Sequence, residues 1–479
     1  MFFDLPFTAE ALLLLAEIAV LVRVLIRPHR EPASRLAWIA VVIALPLVGI
    51  IAYLILGETR ISGLRREHGR DVDAALPRPS GDKSCLAPLA AGPHKAPFAL
   101  AQTVNCLDPT CANGARVARD SNVAIDEIVA DIDVARRHVH ICSYIWLADN
   151  NGLKVKDACI RAAQRGVHVR ILADALGSWR LIGSSHWREL RDRGCNVRVA
   201  LPVGNPIWTL IRGRVDLRNH RKLVILDNRI AWCGSQNLAD PQFRIKPRYA
   251  PWVDIMTRWE GPVAQHNQYL FVSDWMAEGG DDISDLLRED AGAAAKGSIL
   301  AQVIGTGPTA SFDAMPSCFS ELIHSARDEL VITTPYFVPD EQLLFAITSA
   351  ARRGVRTVMV VPSRCDSRIV AATSRSYYED LIKAGVAIYE YRLGLLHAKT
   401  MIVDGAVGLI GSANLDRRSF ELNFENNILF ADNEFAALLR TRQDQYIADS
   451  DPITAEKIAQ IGLAERIWQN LLAVMSPVL

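Results

Sequence analysis

The chain carries one polar signature twice, at matched spacing. His220-Arg221-Lys222 precedes an apolar run, Asp227 and then Gly234-Ser235-Gln236-Asn237. His397-Ala398-Lys399 precedes a similar run, Asp404 and then Gly411-Ser412-Ala413-Asn414. The likeness extends upstream, since Ala135–Ile145 and Ala326–Tyr336 each read as a strand with a helix before it. A helix closing on Arg165-Gly166-Val167 or Arg353-Gly354-Val355 follows, then an apolar strand, His168–Ala173 or Arg356–Val361. A further helix ends at Gly194 in one copy and Gly385 in the other. Self-similarity of this kind makes each copy a structural unit. Strands alternating with helices place those units in the α/β class, around a buried parallel or mixed sheet.

Within each copy the residue types point to phosphate chemistry. On a strand, residues two apart share a face, so the His and the Lys point the same way. The Gly lets backbone approach a ligand closely, and Ser and Asn offer hydroxyl and amide groups to phosphate oxygens. A single His-x-Lys reads as a surface strand end, whereas two copies matched through Asp, Gly-Ser and Asn read as one site. The candidate catalytic set is His220, Lys222, Asp227, His397, Lys399 and Asp404, with Ser235, Asn237, Ser412 and Asn414 as phosphate-binding residues. A phosphodiester needs a nucleophile on phosphorus, an acid for the departing alcohol and donors for the non-bridging oxygens. One imidazole can attack to form a phosphohistidine while the other protonates the leaving oxygen and later activates the incoming alcohol or water. An attacking ring nitrogen must be free of its proton, with the other nitrogen held by an acceptor. Asp254 is assigned to orient His220, and Glu425 to orient His397. Asp227 and Asp404 are expected to anchor their loops. His138 and His140 share a strand face without companion ligands and are read as structural, so neither a metal nor another cofactor is expected.

Composition supplies the setting. At roughly 150 residues per domain, 479 residues suggest about three units. The 53 basic and 53 acidic side chains cancel, which excludes a broadly basic nucleic-acid binder. Much of the 50% hydrophobic content lies at the amino terminus. Leu36–Leu56 has no charged side chain and is long enough to cross about 30 Å of hydrocarbon. Phe7–Ile26 is a weaker span, interrupted by Glu10, Glu17 and Arg23. A transmembrane hairpin joined through Arg27–Arg35 is therefore expected. Its arginines Arg27, Arg30 and Arg35 favour a cytoplasmic loop, while Arg60, Arg65, Arg66 and Arg70 pull the other way. The 9 cysteines are scattered without a Cys-x-x-Cys pair and read as unpaired thiols of a reducing compartment. The expected organisation is a hairpin anchor over 1–58, a linker over 59–115, one half over 116–290 and a second half with a C-terminal helix over 291–479. That last helix, from Ile458 to Val474, is read chiefly as core packing, with a membrane-surface role as the alternative.

The paired His-x-Lys-x4-Asp motifs with Gly-Ser-x-Asn resemble those of the phospholipase D superfamily. Thr334–Asp340, Ser374–Tyr378, the stretch from Gly394 to Glu425, Asn219–Lys222, Trp252–Asp254, Glu260–Val263, Asp274-Trp275, the amino-terminal Leu45-Pro46 and Gly49, and the terminal Ser476–Leu479 are similar to bacterial cardiolipin synthases. The resemblance covers nearly the whole chain and is weakest over 60–115. One departure is Gly234-Ser235, where that family usually has two glycines; the added hydroxyl could alter headgroup preference. The resemblance implies transfer of a phosphatidyl group from one phosphatidylglycerol to another with release of glycerol, with His220 as nucleophile and His397 as acid and base. It also implies a multi-pass protein of the bacterial inner membrane whose partners are phosphatidylglycerol and other membrane lipids, with no nucleic acid. Rival readings are a hydrolytic phospholipase D, a phosphodiester nuclease and a non-enzymatic membrane scaffold.

Overall fold

The computed structural model describes residues 7–27, 32–57, 63–79, 81–89, 92–203, 216–289, 297–308 and 313–474. Much of the expected hairpin turn, Arg60, the boundary at 290–291 and the terminal Ser476–Leu479 lie outside them. The amino terminus forms α1 (Phe7–Ile26), α2 (Pro32–Ala44) and α3 (Pro46–Leu56). The single span expected over Leu36–Leu56 is thus broken. Pro46 has no N–H to continue the ladder, and Leu45 leaves the helical region at φ −138° and ψ 71°. Hydrogen bonds from Leu45 N to Val41 O and from Gly49 N to Leu45 O bridge the kink. Gly49 is needed there, because a Cβ would lie 2.7 Å from Val41 O. Among the described residues no helix is long and apolar enough to cross a membrane.

The stretch read as a linker instead folds onto the body. Helix Gly63–Ala75 places Val72 in a core shared by both halves, and helix Lys95–Asn105 buries Phe98 and Ala101 in the core of the second. Cys85, in the short 3-10 turn Lys83–Leu89, is disulfide-bonded to Cys111 across 5.7 Å between Cα atoms. This corrects the expectation that the cysteines are unpaired. Their separation in sequence hides a contact that exists only once the turn packs beside the first strand.

That strand, β1 (Thr110–Val117), opens the first half, followed by β2 (His138–Ser143), β3 (His168–Asp174), β4 (Asn196–Ala200), β5 (Leu223–Leu226), β6 (Ile230–Gly234) and β7 (Met256–Glu260). The second half repeats the series as β8 (Ile299–Thr306), β9 (Glu329–Thr333), β10 (Arg356–Pro362), β11 (Ala387–Tyr391), β12 (Thr400–Val403), β13 (Val407–Gly411) and β14 (Asn423–Ala431), with β15 (Ser450–Ile453) at its edge. They form one sheet in the order β15-β11-β10-β9-β12-β13-β14-β8-β1-β7-β6-β5-β2-β3-β4. Each half has three parallel strands at its outer side and antiparallel strands inward. The halves join where β1 runs antiparallel to β8, Thr110 opposite Ala301.

The Arg-Gly-Val repeats mark equivalent helix ends. Gly166 and Gly354 adopt φ of 85° and 89°, the left-handed conformation that closes a helix with little penalty only for Gly. Val167 N and Val355 N then reach back to Ala162 O and Ala350 O. Helices α4 (Pro262–Ala277) and α5 (Asn433–Ala448) each pack on strands from both halves. Their shared core joins Trp259, Phe271 and Trp275 to Phe430 and Phe435, with Trp259 edge-on to Phe435 at 5.1 Å. The final helix, α6 (Leu463–Val474), buries only Gln469 and Leu472.

Candidate active site

Each histidine follows a two-residue strand that pairs with the opposite half. Arg218–Asn219 runs parallel to the start of β14, and His220 N donates to Phe424 O at 2.9 Å. Leu395–Leu396 runs parallel to Trp252–Val253, and His397 N donates to Val253 O at 2.8 Å. These pairings bring Glu425 and Asp254 against the imidazoles, with the partners exchanged from those assigned by sequence. His220 Nδ1 lies 3.0 Å from both Glu425 carboxylate oxygens, and His397 Nδ1 lies 2.6 Å from Asp254 Oδ1. Each half supplies the carboxylate that holds the other half's histidine.

The serines belong to the same scaffold. Ser235 Oγ donates to Asp254 Oδ1 at 2.7 Å and accepts from Ile255 N. Ser412 Oγ donates to Glu425 Oε2 and accepts from Asn426 N. The hydroxyls expected to meet phosphate are therefore occupied in fixing the carboxylates. Asn237 Oδ1 accepts from Ile145 N at 3.3 Å, and among the described residues the buried Asn414 Oδ1 has no hydrogen-bond partner. Asp227 and Asp404 stand apart from the imidazoles. Asp227 accepts the backbone N–H groups of Arg136, Arg137 and His138, and Asp404 those of Arg327, Asp328 and Glu329. Both anchor the start of a strand, the anchoring role expected of them, rather than facing the imidazoles with the rest of the candidate catalytic set.

Lys222 Nζ donates to His220 O at 2.7 Å, and Lys399 Nζ to His397 O at 2.6 Å. Burial, the largest influence, lowers Lys222 to about 8 and Lys399 to about 7. It also pushes the Glu425 carboxyl up to about 7. Burial raises Asp254 too, but the adjacent His397 and Lys399 outweigh it and hold the carboxyl below its ordinary range. His220 lies well below the usual imidazole value, first through burial and then through Lys222 and Lys399. His397 is lowered by burial and Lys399 against the pull of Asp254. Each imidazole senses the other half's lysine, which marks a single site. His220 is thereby kept unprotonated, whereas only His397 faces a carboxylate that is firmly ionised, the setting that supports a proton on its ring.

Three aromatic residues escaped the sequence reading. Tyr144 stands edge-on to His220 at 4.8 Å, Trp252 lies 4.7 Å from His397, and Tyr336 stands edge-on to His397 at 6.4 Å. Tyr144 and Tyr336 lie just beyond the two matched upstream strands, and a tyrosine near that point in both copies was the available signal. Arg221, between His220 and Lys222, turns away to pair with Asp274 and to donate to Glu425 O. His138 and His140 stack on each other at 4.5 Å, and His140 stacks on Phe271. Among the described residues no group of three or more His, Cys, Asp or Glu is placed to hold a metal ion.

Residues 128–254 and 319–447 match the family described as "Cardiolipin synthase, PLD-like domain", and residues 18–58 match "Phospholipase_D-nuclease N-terminal". The chain is 35% identical over 473 residues to cardiolipin synthase A of Erwinia tasmaniensis, covering 96% of each chain. It is 34% identical, with the same coverage, to cardiolipin synthase A of Yersinia pseudotuberculosis. Among solved structures it is similar in fold to phosphatidylserine synthase of Haemophilus influenzae, with a TM-score of 0.58 and 13% identity, over 87% of this chain and 100% of that one.

Proposed function

From the premise that this chain belongs to the phospholipase D-like family of cardiolipin synthases, we propose that it transfers a phosphatidyl group between two phosphatidylglycerol molecules. The observation that carries this reading is the pair of buried imidazoles, each backed by a carboxylate from the opposite half. In the first step His220 Nε2 attacks phosphorus, the P–O bond to glycerol breaks, and His397 gives that oxygen its proton. The product is a phosphatidyl-His220 intermediate and free glycerol. In the second step His397 takes the proton from a hydroxyl of another phosphatidylglycerol. The oxygen attacks phosphorus and the bond to His220 breaks, leaving cardiolipin and the starting imidazole. Glu425 stabilises the positive ring of the intermediate, and Asp254 stabilises the His397 imidazolium. Lys222 and Lys399, with the Asn237 and Asn414 amides, face the non-bridging oxygens whose charge grows in each transition state.

The nucleophile is assigned to His220 because His397 sits 2.6 Å from Asp254, a carboxylate held ionised and so suited to an imidazolium that gives and takes protons. The amino-terminal helices serve as the membrane anchor. Leu12, Leu15, Ile18, Leu25, Leu36, Leu47, Val48 and Ile51 are all largely exposed, and an apolar surface of that extent is covered by lipid. We read α1 and the kinked α2–α3 rod as the two arms of an intramembrane hairpin in the bacterial inner membrane. A structural disulfide belongs to oxidising compartments, which together with the cytoplasmic loop favoured by Arg27, Arg30 and Arg35 supports a catalytic body on the outer side. Transfer is favoured over hydrolysis because lipid anchoring presents the acceptor hydroxyl beside the site. Purified protein given phosphatidylglycerol alone is expected to yield cardiolipin and glycerol in equal amounts by lipid mass spectrometry. Phosphatidic acid as the main product sinks the transferase reading.

A further inference from the structure

The final helix presents an apolar stripe that the body does not cover. Leu463, Ile467, Trp468, Leu471 and Val474 of α6 are between 55% and 75% exposed. Leu463, Ile467, Leu471 and Val474 recur three to four residues apart, with Trp468 at the margin of the stripe, away from the buried Gln469 and Leu472. Ile369, on the neighbouring helix Arg368–Ser376, extends the apolar surface. Trp is favoured where hydrocarbon meets headgroups, and a helix with this division of faces lies in that plane.

Beside the stripe is a cleft of about 390 Å³, lined by Arg248, Arg364, Arg368 and Arg375, with Trp468 also in its wall and Glu465 its one acidic lining residue. Arg375 is already engaged by Glu390 and by Ser363 O. Among the described residues, no hydrogen bond or ion pair engages Arg248, Arg364 or Arg368. Three uncommitted guanidinium groups around one opening leave their N–H donors free for an anion. Guanidinium matches phosphate through paired N–H donors. A chain of contacts also links the cleft to the reaction centre. Cys365 lines it, and the next residue, Asp366, accepts from Tyr336 Oη and Lys246 Nζ, both at 2.6 Å. The Tyr336 ring in turn stands edge-on to His397.

We propose that this face docks on an anionic bilayer, with the α6 stripe at the headgroup boundary and the arginine cleft holding the phosphate of an anionic phospholipid. The proposal rests on the lipid reading of the site but not on its chemistry. It adds a second, non-reacting phosphate position on the side of His397.

The test uses full-length protein carrying His220→Ala, so that turnover does not alter the lipids. It is reconstituted in nanodiscs of phosphatidylcholine alone or of phosphatidylcholine with phosphatidylglycerol. Hydrogen–deuterium exchange is then followed over 364–372 and 463–474. A terminal helix with few buried contacts exchanges readily unless covered, so protection in the anionic discs alone is expected. An arginine near an anionic leaflet is worth about 1 kcal/mol, or about fivefold in binding. Arg368→Gln should therefore weaken protection by about that factor, and Arg248→Gln, Arg364→Gln and Arg368→Gln combined should abolish it, with unchanged circular dichroism. Equal protection in both discs overturns the proposal. So does protection by inorganic phosphate in phosphatidylcholine discs, or protection that rises with protein concentration, which marks contact between copies. None of these outcomes depends on whether the enzyme is a transferase or a hydrolase.

Discussion

Lys222 and Lys399 are tied by their ammonium groups to the carbonyls of the histidines two residues earlier, so each charge sits beside its own imidazole. Burial leaves Lys399 at about 7 and Lys222 at about 8. A lysine with a lowered value carries its charge below that value and loses it as pH rises through it. The support for the phosphoryl oxygens is therefore complete in mild acid and fades above neutrality. The expected profile of kcat/KM falls on its alkaline limb between about pH 7 and pH 8. Lys399→Arg, whose guanidinium stays charged, should move that limb upward; an unmoved limb assigns it to another group. The two carboxylates are separable by leaving group. Asp254→Asn weakens the acid that protonates departing glycerol, a loss on the order of 100-fold or more in kcat. A phosphatidyl ester of p-nitrophenol, whose leaving group needs no proton, should recover most of that loss in the p-nitrophenol burst, which precedes the base-assisted second step. Glu425→Gln, which acts on the nucleophile, should show no such recovery. The reverse pattern would exchange the roles of the two histidines, making His397 the nucleophile.

At the level of elements, the paired two-residue strands decide which carboxylate meets which histidine. Arg218–Asn219 lies along Asn423–Phe424, and Leu395–Leu396 along Trp252–Val253. Spacing along the chain revealed the histidines, lysines, asparagines and both carboxylates, because each repeats or lies close to a repeat. It did not reveal the exchange, which depends on a pairing between halves rather than on any pattern within one. The same limit explains the serines, since Gly-Ser at a strand end reads as a ligand loop until Asp254 and Glu425 are seen beside it. It explains the kink at Leu45 less well, because Pro46 was visible and its effect on the ladder follows from its missing N–H. The Cys85–Cys111 bond was hidden by the irregular, proline-rich stretch around Cys85. Peptide mapping without reductant should recover Cys85 joined to Cys111, and Cys85→Ser should lower stability by about 3 kcal/mol. Recovery of Cys106 in that linkage would contradict the arrangement.

Across the whole molecule, the repeat, the α/β class and the single shared site were legible because duplication constrains all three at once. The balance of charge was equally true and less informative, for a neutral chain here gathers two lysines and two histidines in one buried pocket. The continuous core from Trp259 to Phe435 and the β1–β8 seam make the halves one body. The crossed carboxylates then make either half incomplete, since removing one takes away the acceptor behind the other's imidazole.

The central claim is that His220 forms the covalent bond and His397 moves the protons. Rapid-quench mass spectrometry of a His397→Gln variant, given the p-nitrophenyl ester of phosphatidic acid, tests it most directly. The ester should react without an acid, and the missing base should leave the adduct stranded. A phosphatidyl group is expected on His220, and none when His220→Ala is added. An adduct on another residue, or release of p-nitrophenol in the double variant at the single variant's rate, would contradict it.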